Sequence, residues 1–283
     1  MLPPNSLAKF VYKAIYKKNI KLYVDLIDMW PESFTHKKNY FLNKWRKFRD
    51  DVLQKADHII FECGYYEEKL EYLNLGNKRD VVYLYKDLPS NSKYKNEVKH
   101  INRNITIGYL GSINRIIDID KICEICKGLI DRKIDVSFEI IGEGENKEKL
   151  FSQLRRLGAI VNYHGIIFDY HEKYHILSRC HYVLNIMKDY VHVGLTLKSM
   201  DYFSMGIPVI NNIKGDTWQM IEKYHAGINY TNSSCIDNII ENYDSVKMSI
   251  GAINIYNQNL SKEVIRNKFN KIFRDDIGGD LNI

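Results

Sequence analysis

The chain has 283 residues, which at about 150 per domain points to two domains. Hydrophobic residues make up 45% and charged residues 27%, with 16 glycines and 5 prolines, so a disordered, collagenous or linker-dominated protein is excluded. The net charge of +6 lies wholly in the first 100 residues, which hold 19 Lys and Arg against 13 Asp and Glu, whereas residues 101–283 hold 22 of each.

In chain order, the hydrophobic pattern predicts a helix over 7–17, a strand over 21–27, a helix over 40–56, a strand over 58–62, a helix over 67–73 and a strand over 81–84. Residues 1–56 carry 12 basic and 5 acidic side chains, interleaved with Phe10, Tyr12, Tyr16, Phe34, Tyr40, Phe41, Trp45 and Phe48. That mixture suits a nucleic-acid groove, an anionic membrane surface, or a pair of ordinary solvated helix faces. No nucleic-acid reader motif accompanies it, and the remainder carries no net charge, so no nucleic-acid partner is expected. A polar stretch over 87–103, with Pro89, Ser90, Asn91 and Ser92, breaks the pattern.

Alternation then resumes, with strands expected at 105–110, 136–141, 159–163, 181–186 and 207–211 and helices near 118–131, 146–157, 171–178, 196–205 and 215–225. A further amphipathic helix is expected over 257–273. The fold class is α/β: a complete doubly wound, Rossmann-like C-terminal domain and an incomplete Rossmann-like N-terminal one. The expected boundaries are 1–88 for the first domain, 89–103 for the linker, 104–247 for the second domain and 248–283 for helices that cross back to the first. No run approaches the ~18 apolar residues of a membrane span, and no signal-peptide pattern opens the sequence, so the expected location is the cytoplasm.

Five scattered cysteines argue against a disulfide framework. Cys123 and Cys126 form a single CxxC that fits an apolar helix stripe better than a zinc site. Asp118-Ile119-Asp120 matches a metal-binding DxD but falls where a helix starts, so no metal is expected.

Ligands of doubly wound sheets bind at the carboxyl ends of the strands, which directs attention to three turns. Gly111-Ser112-Ile113-Asn114-Arg115 offers small residues and one arginine to a phosphate, or is simply a turn. Gly142-Glu143-Gly144 lacks the third glycine of a dinucleotide fingerprint, since residue 147 is Lys147. The stretch from Tyr190 to Ile210 reads as loop, helix, glycine stop and strand, placing Gly194, Leu195, Thr196 and Leu197 at a helix N-terminus with Lys198 next and Asp201 at i+3. Amides, a cation and a carboxylate within one turn match a nucleoside diphosphate, with a solvated Lys–Asp pair as the bland alternative.

Together these motifs resemble the donor-binding domain of the family 4 glycosyltransferases of GT-B fold, across residues 105–230. The resemblance is carried by Gly111-Ser112 with Arg115, Ile140 to Gly144, Tyr163 to Ile166, and Lys198 to Tyr202 through Gly206-Ile207-Pro208-Val209-Ile210. It implies that Gly111, Ser112, Arg115, Gly194, Leu195, Thr196, Leu197 and Lys198 hold the diphosphate, that Asp201 takes the ribose, and that Gly165, Ile166, Ile167 and Phe168 flank the base. Where the family places two glutamates with seven residues between them, this chain has Val193 and Asp201, with His192 beside the first.

The N-terminal block is similar to the same family at Val24 to Glu32 and Ala56 to Ile60, with the opening of the acceptor domain missing. The resemblance implies sugar transfer from a UDP-linked donor to a saccharide or polyprenyl-linked acceptor in surface-polysaccharide synthesis, with retention and without metal or cofactor. Asp28 and His192 are the catalytic candidates, Asp28 having a turn-capping alternative. Residues 1–56 would then meet the anionic inner face of the membrane. The rival expectation is a non-catalytic or split subunit completed by a partner chain.

Overall fold

A computed structural model describes residues 1–34, 39–76, 78–89 and 97–277. Lys37, Lys38 and the linker residues Ser90, Asn91 and Ser92 fall outside the described residues. Two compact units emerge: unit 1 is Met1–Tyr85, Asp189–Gly194 and Lys262–Ile283, and unit 2 is Lys86–Lys188 and Leu195–Ser261.

Unit 1 contains α1 (Asn5–Ile15), β1 (Tyr23–Leu26), α2 (Tyr40–Leu53), β2 (His58–Phe61), α3 (Gly64–Lys69) and β3 (Lys78–Val81). The strands form a parallel sheet in the order β1-β2-β3. Central β2 is buried throughout, so its alternation sorts Ile59 and Phe61 to one face and Ile60 to the other. Leu26, Leu53 and Leu70 pack with the first pair, while Ile265 and Ile272 of the last helix (Lys262–Ile277) cover Ile60. Buried Leu2 bridges to Leu26 beside β1.

The third strand lies at Lys78–Val81 rather than at the predicted 81–84. It is an edge strand whose first three residues are exposed, so hydrogen bonding to β2 in the register His58↔Lys78 defines it and hydrophobicity does not. The apolar run that suggested a strand begins where pairing ends, with buried Val82 donating its amide to Phe61.

Unit 2 contains β4 (Asn104–Leu110), α4 (Ile119–Asp131), β5 (Asp135–Ile141), α5 (Lys147–Arg156), β6 (Ile160–Tyr163), α6 (Tyr170–Leu177), β7 (Tyr182–Asn185), α7 (Leu197–Ser204), β8 (Val209–Asn211), α8 (Asp216–Tyr224), β9 (Gly227–Asn229), α9 (Ile236–Glu241) and α10 (Ser245–Ile255). Its six strands, one more than expected, form a parallel sheet in the order β6-β5-β4-β7-β8-β9. The chain therefore winds outward from β4 in one direction and from β7 in the other, so the topological switch point lies between them.

In α4, Asp118 caps the helix by accepting the Lys121 amide at 3.0 Å, and Ile122, Ile125, Cys126 and Leu129 face the core at helical spacing. Cys123, also on α4, is half-buried against Gln153, and both thiols are free. The helix expected from 257 starts at Lys262, because Tyr256–Leu260 continues α10 as a π-helical turn and Ser261 is extended. Among the described residues, no helix is long and apolar enough to cross a membrane.

Candidate functional site

Strands β4 and β7 are paired only at Ile107↔Tyr182 and Gly108↔Val183, and then part. Tyr202 of α7 fills the fork: its hydroxyl accepts the Leu110 amide at 2.9 Å and donates to the Leu184 carbonyl at 3.3 Å. Backbone groups freed by the switch are thus satisfied by one fully buried phenol.

The loop after β4 is fixed from three sides. The Tyr109 hydroxyl donates to the Ser112 carbonyl at 2.8 Å, the Gly111 amide to Ile141 at 2.9 Å and the Ile113 amide to Glu143 at 2.8 Å. A Cβ on Gly142 would lie 1.9 Å from the Gly111 carbonyl oxygen, and one on Gly144 2.4 Å from that of Ile113. Both glycines have positive φ, 141° and 156°. Gly142-Glu143-Gly144 therefore lets two loop backbones touch, a packing role quite separate from a dinucleotide fingerprint. Glu143 is engaged by Lys147 at 2.9 Å and by the Tyr163 hydroxyl.

Thr196 starts α7 by accepting the Ser199 amide at 3.2 Å. Its hydroxyl also meets Asn185 and Ser199 at 3.2 and 2.6 Å. Asn185, Asn211 and Asn229, in register at the ends of β7, β8 and β9, bond in succession at 3.0 and 2.9 Å. This buried amide ladder anchors the helix start to three strand ends. The amides of Leu197 and Lys198 have no acceptor among the described residues and present the positive end of the helix.

Beside those amides, the Lys198 ammonium sits 4.8 Å from the centroid of the Tyr109 ring. Among the described residues no carboxylate pairs with it, and burial pushes its pKa down to about 7. A Cβ on Gly111 would be 3.9 Å from the Lys198 Cδ, which places this side chain over the β4 loop. Ser112 and Arg115 of that loop are exposed.

Asp201 is 8% exposed, with Oδ1 2.7 Å from Lys86 Nζ and Oδ2 3.2 Å from Lys173 Nζ. Oδ1 has no contact with solvent. In the loop after β6, Ile166 and Phe168 are 59% and 88% exposed. Gly165 has φ 72°, and its carbonyl accepts the Gly142 amide at 2.7 Å.

Gly194 and His192 belong to the unit 1 segment, as does Asp28. Asp28, two residues beyond β1, accepts the Ser33 hydroxyl, and burial raises its pKa. The Ser33 carbonyl in turn accepts the His192 amide at 3.2 Å. The His192 ring meets the Tyr65 hydroxyl at 2.9 Å, and burial followed by nearby Lys69 lowers its pKa. Ser33 thus joins the two residues expected to be catalytic. No cluster of His, Cys, Asp and Glu that could hold a metal occurs among the described residues.

Sequence reasoning missed Tyr109, Tyr202, Lys86, Lys173 and the asparagine ladder. The ladder had a signal, since each of three successive strands ends in Asn; the lysines had none.

Two Rossmann-like units of this kind define the fold of the GT-B glycosyltransferases, and solved structures of such proteins are similar to this chain along nearly its whole length. S. aureus TarM, solved with fondaparinux, α-GlcNAc-glycerol and UDP, gives a TM-score of 0.64 at 17% identity over 94% of this chain and 54% of its own. HepE from Anabaena, solved with UDP, gives 0.66 at 14% identity over 96% and 77%. Sucrose-phosphate synthase from Thermosynechococcus elongatus gives 0.65 at 13% identity over 95% and 71%. The chain therefore spans about half the length of TarM. No protein-family profile matches the sequence, and no curated protein sequence matches it.

Proposed function

We propose that this chain is a family 4-type glycosyltransferase that moves a sugar from a UDP-linked donor to a saccharide acceptor, with retention and without a metal. The observation that carries the reading is Lys198, an unpaired ammonium beside the open N-terminus of α7 at the switch point of the unit 2 sheet. An uncompensated, half-buried cation is costly for the fold alone, and a diphosphate is the complementary charge. Solved GT-B proteins that hold UDP support the choice of nucleotide.

In this reading the amides of Leu197 and Lys198, the Lys198 ammonium and Arg115 take the diphosphate, and Gly111 and Ser112 border it. Gly194, Leu195 and Thr196 shape the approach to the helix. In the run Gly165-Ile166-Ile167-Phe168, exposed Ile166 and Phe168 offer the base an apolar face. Asp201 meets the ribose through Oδ2. Negative charge developing on the departing diphosphate is stabilised by fixed amides and a fixed ammonium, the task a divalent ion performs in other sites. Asp28 and His192 serve the acceptor hydroxyl in unit 1.

A thermal-shift screen with UDP, GDP and ADP tests the assignment. UDP should raise the midpoint of wild type and fail to do so for Lys198→Met, because ligand stabilisation follows mass action. Equal shifts in both proteins would remove Lys198 from the site.

The acceptor is proposed to be lipid-linked and to be met at the inner face of the membrane during surface-polysaccharide synthesis. Leu7, Phe10 and Val11 of α1 are 54%, 68% and 42% exposed, beside Lys9, Lys13 and Lys17. An apolar stripe edged by lysines suits an anionic bilayer. Co-sedimentation with phosphatidylglycerol vesicles should be lost on Phe10→Asp; unchanged sedimentation would rule this face out.

A further inference from the structure

Unit 1 holds a cavity of about 390 Å³ lined by Met29, Glu32, Arg46, Lys69, Tyr72 and His192. Small-molecule sites span roughly 300–1,000 Å³, so this one has room for about one or two sugar rings.

Its charges are unevenly committed. Glu32 Oε1 accepts from Arg46 Nε at 2.5 Å and Arg49 Nη2 at 3.1 Å, and its Oε2 from Arg49 Nη1 at 2.9 Å. Arg49 is fully buried and also holds Asp50 at 2.8 Å, whose second oxygen accepts the Tyr72 hydroxyl at 3.0 Å. Two guanidiniums and two carboxylates thus cancel, with the carboxylate lone pairs turned on the guanidinium N–H groups.

Lys69 remains. Its nearest carboxylate among the described residues, Glu68, is 3.9 Å away and 60% exposed, a solvent-screened contact of little worth. The Lys69 ammonium lies over the Tyr65 ring at 5.0 Å. The Tyr65 phenol meets His192 Nδ1; with the phenol donating, the neutral imidazole carries its hydrogen on Nε2. The wall therefore offers an uncommitted cation and further N–H donors, while the acceptor oxygens of Glu32 are already taken.

We propose that this cavity is a subsite for an anionic oxyacid group, carboxylate or phosphate, carried by a saccharide, with Lys69 as its charge partner and Arg46 and His192 as flanking donors. Met29 and the Tyr72 ring give the sugar its apolar surface. The inference rests on reading unit 1 as the acceptor-binding unit. A neutral sugar would leave the ammonium uncompensated, whereas an oxyanion pairs with it.

Ligand-observed NMR titration of the full chain with glucuronic acid, glucose 6-phosphate and glucose tests this, in wild type and Lys69→Gln. Lys69 ends a surface helix and its side chain is 41% exposed, so the variant keeps the fold. At least one acid should bind about tenfold more tightly than glucose, and Lys69→Gln should lose that margin; which acid it is separates carboxylate from phosphate. Equal binding of all three, binding of none, or an unchanged margin in Lys69→Gln would overturn the proposal. UDP titrated into the same samples reports on unit 2: UDP binding with no acid preference defeats this inference alone, and an acid preference without UDP binding defeats the donor reading alone.

Discussion

If Lys198 holds the donor diphosphate as proposed, donor binding is a proton-coupled event. Its ammonium has a pKa of about 7 in the free protein, against 10.5 when unperturbed, because burial disfavours the charge and no carboxylate among the described residues offsets that. A diphosphate beside it supplies the missing countercharge and drives the pKa back up. At pH 7 about half the molecules must then take up a proton to bind UDP, and at pH 8 about nine in ten. Affinity should be nearly flat below about pH 6 and fall by about 50-fold, or about 2.3 kcal/mol, between pH 7 and 9. Isothermal titration calorimetry in buffers of different ionisation enthalpy measures the uptake directly. Lys198→Arg, whose guanidinium stays charged throughout, should bind UDP with little proton uptake and a flat profile over this range. If wild type and Lys198→Arg showed the same slope, the titrating group would lie elsewhere and the electrostatic reading of the helix terminus would fail.

The same ammonium weighs on the fold. A lysine with a lowered folded pKa destabilises fully below about pH 7 and is relieved as pH rises toward its unfolded value, so Lys198→Met should melt above wild type at pH 6 and converge with it by pH 10. Asp201→Ala should cost about 2–4 kcal/mol, since it strands the ammonium of Lys173, 8% exposed, and in part that of Lys86; adding Lys86→Met and Lys173→Met should recover most of this in urea melts. Gly142→Ala meets the Gly111 carbonyl at 1.9 Å and a positive φ, so a destabilisation above about 3 kcal/mol is expected, and a melt unchanged from wild type would contradict the loop packing. In unit 1, burial would raise the Glu32 pKa, but Arg49 and Arg46 outweigh it and hold the carboxyl below its usual range. That stability is present above about pH 4.5 and lost as pH falls through the lowered value; Arg49→Met should cost about 3–5 kcal/mol at pH 7 and move acid unfolding to higher pH.

The expected parallel α/β class is the one found, because buried parallel strands carry continuous apolar runs and leave a strong one-dimensional signal, as in Ile59 to Phe61. Where pairing and burial part company the signal fails. Edge strand β3 is charged along its exposed length, and β9 is three residues beginning in a glycine, so neither advertised itself. The turn at 111 and the start of α7 at 196–197 were legible because a glycine at positive φ and an N-capping threonine are local signals.

What surrounds them was not legible, for a physical reason. Lys86 and Lys173 reach Asp201 from positions 115 and 28 residues earlier in the chain, and an ion pair imposes no spacing on the sequence. Lys198 shows the converse: burial lowers its pKa with no such partner among the described residues, and neither burial nor a missing partner has a residue to mark it. Sequence therefore reveals which groups the backbone brings together locally, while the charge each group carries at neutral pH depends on distant side chains that only the folded chain selects. For this protein that difference separates a lysine and an aspartate which look alike in sequence into a cation with no carboxylate partner among the described residues and a carboxylate paired with two lysines.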